Sequence, residues 1–359
     1  MRGGKPLRTL IRILAIILIL FIIGMVYSIF EKEQSDSGQN GIDLENKTLN
    51  TPSEQEMSER IKIEGLFKLI GEDSSKVKDQ FGDPNRIDPS SFGYHWWIYN
   101  DNNKKYVQIG IENDKVVTFF VMGERLNIKP FKIGQSVADI YSSYFIPSDI
   151  QLKYEGQEYL FELSEEDVNI RPIIKLEHFY VQLYIDKFTG TLSSIRAMDA
   201  PTLIKLKPFD YREEYIETPM EKYELDRALG KALQKQIFDL TNVLRDRYRM
   251  RSLKWDERLS KSAFERSVEL HKEDQQSIDK EYQHEQISPM KDQQMFIYFL
   301  DGENVAIPEL DAPAIVESWF NSAVHRQNIL SENFRETGIG IYSEYLVQKF
   351  SPNDLEEVQ

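Results

Sequence analysis

Residues Ile13 to Phe30 carry no charge, and the residues before them are either uncharged or basic, with Arg2, Lys5, Arg8 and Arg12 and no acid. A run of this length and polarity matches the roughly 17–25 residues that cross a bilayer core, and Arg12 can reach back to the headgroups. The segment therefore reads as an N-terminal transmembrane helix in residues 13–30, with residues 1–30 forming a basic cytoplasmic flank and anchor. Glu31 begins an acidic stretch, so the positive flank predicts a single-pass protein with its N-terminus in the cytoplasm and its C-terminal domains outside the cell. A cleaved signal peptide shares the basic start and apolar core. The length of the run, with no small-x-small cleavage site after it, favours the uncleaved anchor.

The exported part is strongly acidic. The whole chain has a net charge of −15, and setting aside the four basic anchor residues leaves −19. That balance excludes nucleic acid as a partner, because phosphate binding needs clustered Lys and Arg. There is no cysteine, which removes disulfides, thiol nucleophiles and cysteine-zinc sites. An exported chain without disulfides fits a bacterial surface, in a cell with a single membrane.

Residues 31–60 are rich in Ser, Asn, Gln, Glu and Asp without helical or strand periodicity. They read as a disordered linker that can hold a domain about 100 Å from the membrane when stretched. The block 61–200 contains an internal repeat, since Ile70-Gly71-Glu72-Asp73-Ser74 through Phe81 aligns with Ile133-Gly134-Gln135-Ser136-Val137 through Tyr144 at a constant offset. Each copy predicts a short helix followed by a hairpin. In the first, Tyr106–Ile111 and Val116–Phe120 flank a turn at Glu112–Lys115; in the second, Phe179–Ile185 and Thr191–Ile195 flank Asp186–Gly190. Two helix-hairpin units make an α+β domain. The cluster Phe92-Gly93-Tyr94-His95-Trp96-Trp97-Ile98-Tyr99 offers either an aromatic recognition surface or a strand with core side chains, and the second reading is preferred. His95 and His178 have no companion ligands in sequence and read as structural.

Three prolines break the pattern between Pro201 and Pro219, making 201–224 a connector. In the final block, 225–353, Leu233, Ile237, Leu240, Val243 and Leu244 fall at helical spacing, with Arg245 to Arg251 as a basic end. Ser252–Trp255 reads as a link and Asp256 as the cap of a second helix carrying Leu259, Ala263, Ser267 and Leu270 inward. A polar loop carries His284. A third helix is predicted from Ala312 or Pro313 through Trp319 to about Val324, then strands Thr337–Tyr342 and Tyr345–Phe350. Helices flanking a small antiparallel sheet form an α-β-α sandwich.

The ordered signals Leu253-x-Trp255-Asp256, His284, Gly302-Glu303-Asn304-Val305-Ala306, Trp319-x-Asn321-Ser322-x-x-His325-Arg326-x-Asn328-Ile329-Leu330 and Gly338-Ile339-Gly340 resemble the CAP superfamily of cysteine-rich secretory, antigen 5 and pathogenesis-related proteins. The resemblance covers about Leu233 to Pro352 and implies the CAP fold. The repeat block, with its paired Ile-Gly starts and the Phe81-Gly82-Asp83-Pro84 turn, resembles the N-terminal domain that accompanies this module in spore-forming Firmicutes. That implies a nonenzymatic role, with a protein partner for the 61–200 domain.

Family resemblance further implies a cleft of two histidines and two acids, in which some members bind zinc or another divalent cation. By position these fall at His284, Glu303 and His325, while the second acid is replaced by Ser322. His284 and His325 are thus the candidate metal ligands, although a two-histidine site is weaker than the three protein ligands of a catalytic zinc. Ser322 and His325 lie one helical turn apart, the minimum for an activated hydroxyl. Asn304, Arg326 and Asn328 read as structural ties before functional ones, and His271 as solvated or structural. Two functions compete: a noncatalytic module whose cleft takes a lipid, glycan or peptide, and an envelope hydrolase acting on peptide or peptidoglycan-related bonds through His284, Glu303 and His325. The missing acid favours the first.

Overall fold

The computed structural model describes residues 62–213, 226–282, 302–306 and 311–352. The anchor, the linker and the loop bearing His284 lie outside the described residues. Among the described residues no helix is long and apolar enough to cross a membrane. The chain is a mixed α+β protein.

Its first half holds helix α1 (Ser74–Phe81), strands β1 (Arg86–Pro89), β2 (His95–Tyr99), β3 (Val107–Glu112) and β4 (Lys115–Val121), helix α2 (Val137–Ser143), strands β5 (Asp149–Tyr154) and β6 (Gln157–Glu162), helix α3 (Glu165–Ile170), strands β7 (Ile173–Leu176), β8 (Phe179–Asp186) and β9 (Thr191–Met198), helix α4 (Ala200–Leu206) and strand β10 (Asp210–Glu213). Seven strands form one antiparallel sheet in the order β1-β2-β3-β4-β9-β8-β7. The two repeat units meet where β4 pairs with β9, Thr118 opposite Met198.

The repeat is reproduced bond for bond. Gly71 N–H donates to Val116 O and Gly134 N–H to Leu192 O, both at 2.8 Å; in return Val116 N–H donates to Glu72 O and Leu192 N–H to Gln135 O. Both glycines sit at φ +83°, a left-handed conformation that costs a side-chain-bearing residue. Register shifts recur at Gly110/Ile111 and at Tyr184/Ile185. The structure adds an element that the two-unit pattern lacks, a three-stranded sheet β10-β6-β5. Its hairpin turns at Glu155 and Gly156, both at positive φ, as a tight type I′ turn requires.

The second half holds α5 (Arg227–Arg247), β11 (Lys254–Trp255), α6 (Glu257–Tyr282), β12 (Glu303–Ala306), α7 (Ala312–Phe320), α8 (Ala323–Leu330), β13 (Glu336–Tyr342) and β14 (Tyr345–Ser351). Its sheet, β11-β13-β14-β12, packs α6 on one face through Ala263, Leu270, Val305 and Val347. The other face, with Ile339, Ile341 and Leu346, packs on α5 and α7. Two expectations need correction here. Lys254–Trp255 is a strand that pairs parallel with Glu336–Thr337, so the sheet is not purely antiparallel. The predicted third helix is two helices, because Asn321 takes up the carbonyls ending α7 and Ser322, extended at φ −98°, restarts the chain as the cap position of α8.

Trp96 and Trp97 answer the question of the aromatic cluster. They point to opposite faces of β2, as strand alternation requires, and both are buried. Trp97 joins the core under α1 and α2. Trp96, Ile98, Phe120 and Tyr184 instead share one apolar cluster with Leu229, Leu233, Ile237 and Ile315. The sheet of the first half is thus covered by the helices of the second. Arg196 of β9, 2% exposed, reaches across to Asp311 with two bonds of 2.7 and 2.6 Å, and the same carboxylate accepts from Ala314 N–H to cap α7.

The Gly338-Ile339-Gly340 signal has a packing cause. A Cβ on Gly340 would stand 1.9 Å from Phe264 N, and one on Gly338 2.1 Å from Ser260 N, because the α6 backbone lies directly on β13. Gly340→Ala is expected to lose at least about 2 kcal/mol in denaturant unfolding. Gly230→Ala, in the α5 interior with nothing within 4 Å of the new methyl, is expected to gain about 0.5–1 kcal/mol.

Candidate functional site

Strand β12 and helix α8 are joined by amides. Asn328 accepts from Gly302 N–H at 3.1 Å and donates to Glu303 O and to Asn304 Oδ1, at 3.1 and 3.0 Å. Asn304 donates to the His325 carbonyl at 3.4 Å, and Trp319 Nε1 donates to Val305 O at 2.9 Å. These groups are buried, so each bond offsets the cost of hiding a polar atom. The Gly-Glu-Asn and Trp…His-Arg-x-Asn signals are the two sides of one seam, and Asn304 and Asn328 take the structural role read from sequence.

Glu303 is 4% exposed. Alternation along β12 turns it, with Val305, toward α6, while Asn304 faces α8. Its carboxylate lies between two cations, Arg266 Nε at 3.6 Å and Lys349 Nζ at 3.7 Å, and its Oε1 has no hydrogen-bond partner. His325 is 3% exposed, and its Nε2 is also without a hydrogen bond. Its ring lies 6.1 Å from that of Trp319. Burial alone pushes the imidazole down to about 4, so the ring is neutral at neutral pH.

The activated hydroxyl imagined for Ser322 does not form. Its side chain makes no cap bond, and no hydrogen bond joins it to His325 among the described residues, because Ser322 sits outside the helix that carries the imidazole. Nor is Glu303 hydrogen-bonded to His325. His284 lies outside the described residues. Among these, no group of three or more His, Asp or Glu side chains gathers around a common point.

Two signature residues serve a purpose that sequence reasoning missed. Asn321 accepts from Lys187 N–H at 2.9 Å and donates to Ile185 O at 2.8 Å, closing a backbone-like pair with the end of β8. Arg326 grips both oxygens of Asp186, at 3.0 and 2.9 Å, and stacks 3.8 Å from the Phe320 ring centroid. Tyr248 also donates to Asp186. Arg326 is therefore a tie, as read, but between the two halves of the chain rather than within one. Asp186 carried a signal, being an acid at the end of an otherwise apolar strand. His271 bonds Glu344 at 2.8 Å, a structural contact.

Family models match both halves. That described as CAP-associated N-terminal covers residues 70–209, and that of the cysteine-rich secretory protein family, CAP, covers residues 238–350. A Bacillus subtilis (strain 168) protein described as uncharacterized membrane protein YlbC is 37% identical over 344 residues, 94% of this chain and 98% of its own. The chain belongs to the CAP family. Its CAP domain is also 35% identical over 115 residues to the uncharacterized protein YkwD of the same organism, matching 30% of this chain and 42% of that one. Among solved structures, an extracellular protein containing a SCP domain from Bacillus anthracis str. Ames has a TM-score of 0.68 at 32% identity, covering 87% of this chain and all of that one. A cysteine-rich secretory protein from Staphylococcus aureus shares the fold, with a TM-score of 0.65 at 23% identity and coverage of 81% and 96%.

The buried CAP histidine sets a pH dependence. Its folded value lies below the ordinary 6.5, so the unfolded chain binds the extra proton and stability is lost as pH falls from about 6.5 toward about 4. Histidine-ring NMR is expected to show His325 neutral at about pH 5.5, by a signal that His325→Ala removes.

Proposed function

We propose that this protein is a membrane-anchored extracellular CAP-domain protein, held single-pass by residues 13–30, that acts as a noncatalytic binding module at the cell envelope. Its ligand, a lipid, glycan or peptide, is met at the cleft by His325, with His284 as the second candidate. One observation carries the reading: Asn304, Asn321, Arg326 and Asn328 are committed to holding the scaffold, while His325 Nε2 is buried with no hydrogen bond. A buried nitrogen left unpaired costs about 1–3 kcal/mol, a cost that a bound ligand's polar group removes. Glu303 stands between Arg266 and Lys349 as an ion-pair partner and makes no hydrogen bond to His325, which weighs against the hydrolase reading.

The seating of the second half on the sheet also bears on partners. That face of the 61–200 block is already occupied by the chain's own CAP domain, so a separate protein partner would meet the edges or the α1–α2 side.

The deciding experiment presents the purified full-length chain with arrays of envelope lipids, glycans and peptides, and assays it for peptide, ester and glycan cleavage. Retention on one class, weakened about tenfold by His325→Ala, is the expected result, since tenfold corresponds to about 1.4 kcal/mol. Turnover abolished by His325→Ala would replace the binding module with an enzyme. The absence of native cysteine gives a clean topology test: with Gly41→Cys, a membrane-impermeant maleimide is expected to label intact cells, and with Gly4→Cys it is not.

A further inference from the structure

Helix α7 carries one acid in an apolar face, and it is buried where the two halves meet. Glu317 is 1% exposed. Its Oε1 accepts from the hydroxyls of Ser193, at 3.0 Å, and Ser194, both on β9. Its Oε2 is buried without any hydrogen bond. The cation that faces it, Arg247 of α5, makes no direct bond to the carboxylate: it donates to Met122 O at 2.7 Å and to Ser193 Oγ at 3.3 Å, and its Nε is buried without a hydrogen bond. A relay from Arg247 through Ser193 thus stands where a direct ion pair would neutralise the carboxylate.

We propose that Glu317 is a proton-operated latch between the two halves of the molecule: the neutral carboxyl seats α7 on β9, and its ionisation loosens that seat. A charge generated at this place has one partly committed cation near it and an oxygen with nothing to accept from, which makes the charged form costly. The other charged groups around it are already paired. Asp186 of β8, whose charge opposes ionisation, is held by Arg326 of α8 and by Tyr248 of α5. Arg196 of β9 is held by Asp311 at the start of α7. Glu124, after β4, faces Arg247.

Burial is the largest effect and pushes the carboxyl up to about 7, against the opposing pull of Ser194, Arg247 and Ser193. The folded value is raised above the unfolded 4.5, so the stabilising contribution is full below about 4.5 and is lost as pH rises through about 7. The latch does not depend on what the cleft binds.

Difference infrared spectroscopy of the full-length chain is expected to show a buried carboxyl losing its proton between about pH 5.5 and about pH 8.5, a band that Glu317→Gln removes. In the same range, hydrogen exchange corrected for intrinsic rates should quicken in Ala312–Phe320 and Thr191–Met198 of the wild type. It should not do so in Glu317→Gln, whose melting temperature should also vary less with pH. Should Glu317→Gln not fold, Ser194→Ala removes a donor to the carboxylate and should move the infrared midpoint upward. A wild type with no carboxyl titrating in that range, or with exchange in both segments independent of pH, overturns the latch; so does a variant with the wild-type pH response.

Discussion

The pair of Arg196 and Asp311 joins residues 115 apart in sequence and does three things at once. It neutralises two charges that are 2% and 6% exposed. It closes the N-terminus of α7 through Ala314. It also fixes the guanidinium about 6 Å from the ring centroids of Trp96 and Phe120. Removing one partner of such a buried pair costs about 3–5 kcal/mol, since it strands the other charge. Burial is the largest single effect and opposes the charge on the guanidinium, but Asp311, Tyr184 and Tyr94 together outweigh it and hold the group above its ordinary value. The pair pins the start of α7 to β9, and α8 with the candidate cleft follows α7 in the chain.

The same seam explains the shape of the first half. Two repeat units set side by side give a sheet with two apolar faces, one of which their own helices cover. The uncovered face has to find a layer, and the CAP domain supplies it. Around the edge of that shared core runs a polar frame: Arg86 with Asp239, Gln236 with Asp88 and Arg326 with Asp186. Isolated exposed pairs would contribute little, but these are half-buried or buried, and their geometry fixes how the halves are turned relative to each other.

Much of this was legible in the residues. The paired Ile-Gly starts marked the repeat and its two short helices, and glycine stands at both because the chain turns there at positive φ before each helix. Leu233, Ile237 and Leu240 at helical spacing marked α5, whose Val243 and Leu244 are buried as read. The hairpin of β5 and β6 escaped, though Ile150, Leu152, Tyr159 and Phe161 alternate as strands do, because it interrupts the second repeat and has no counterpart in the first. The break at Asn321–Ser322 escaped because its cause is the end of β8, far away in sequence. Arg245 illustrates the same limit. Its basic neighbourhood suggested only the helix dipole, whereas its side chain is buried and binds the carbonyls of Arg251, Ile329 and Ser331. Glu303 and His325 were found as residues, but which face each takes depends on the pairing of β12 with β14.

The shared core also dictates an order of events during synthesis. Trp96, Phe120 and Tyr184 lack part of their covering layer until Ala312, Ile315 and Trp319 are in place, since those residues complete the cluster that Leu229, Leu233 and Ile237 begin. A chain made N-terminus first must therefore carry a partly open apolar sheet until its last third is in place. Its first half cannot be finished early and stored. Gene fusions that exchange one CAP domain for another would inherit this dependence, and would hold together only where the incoming α7 brings an acid to meet Arg196.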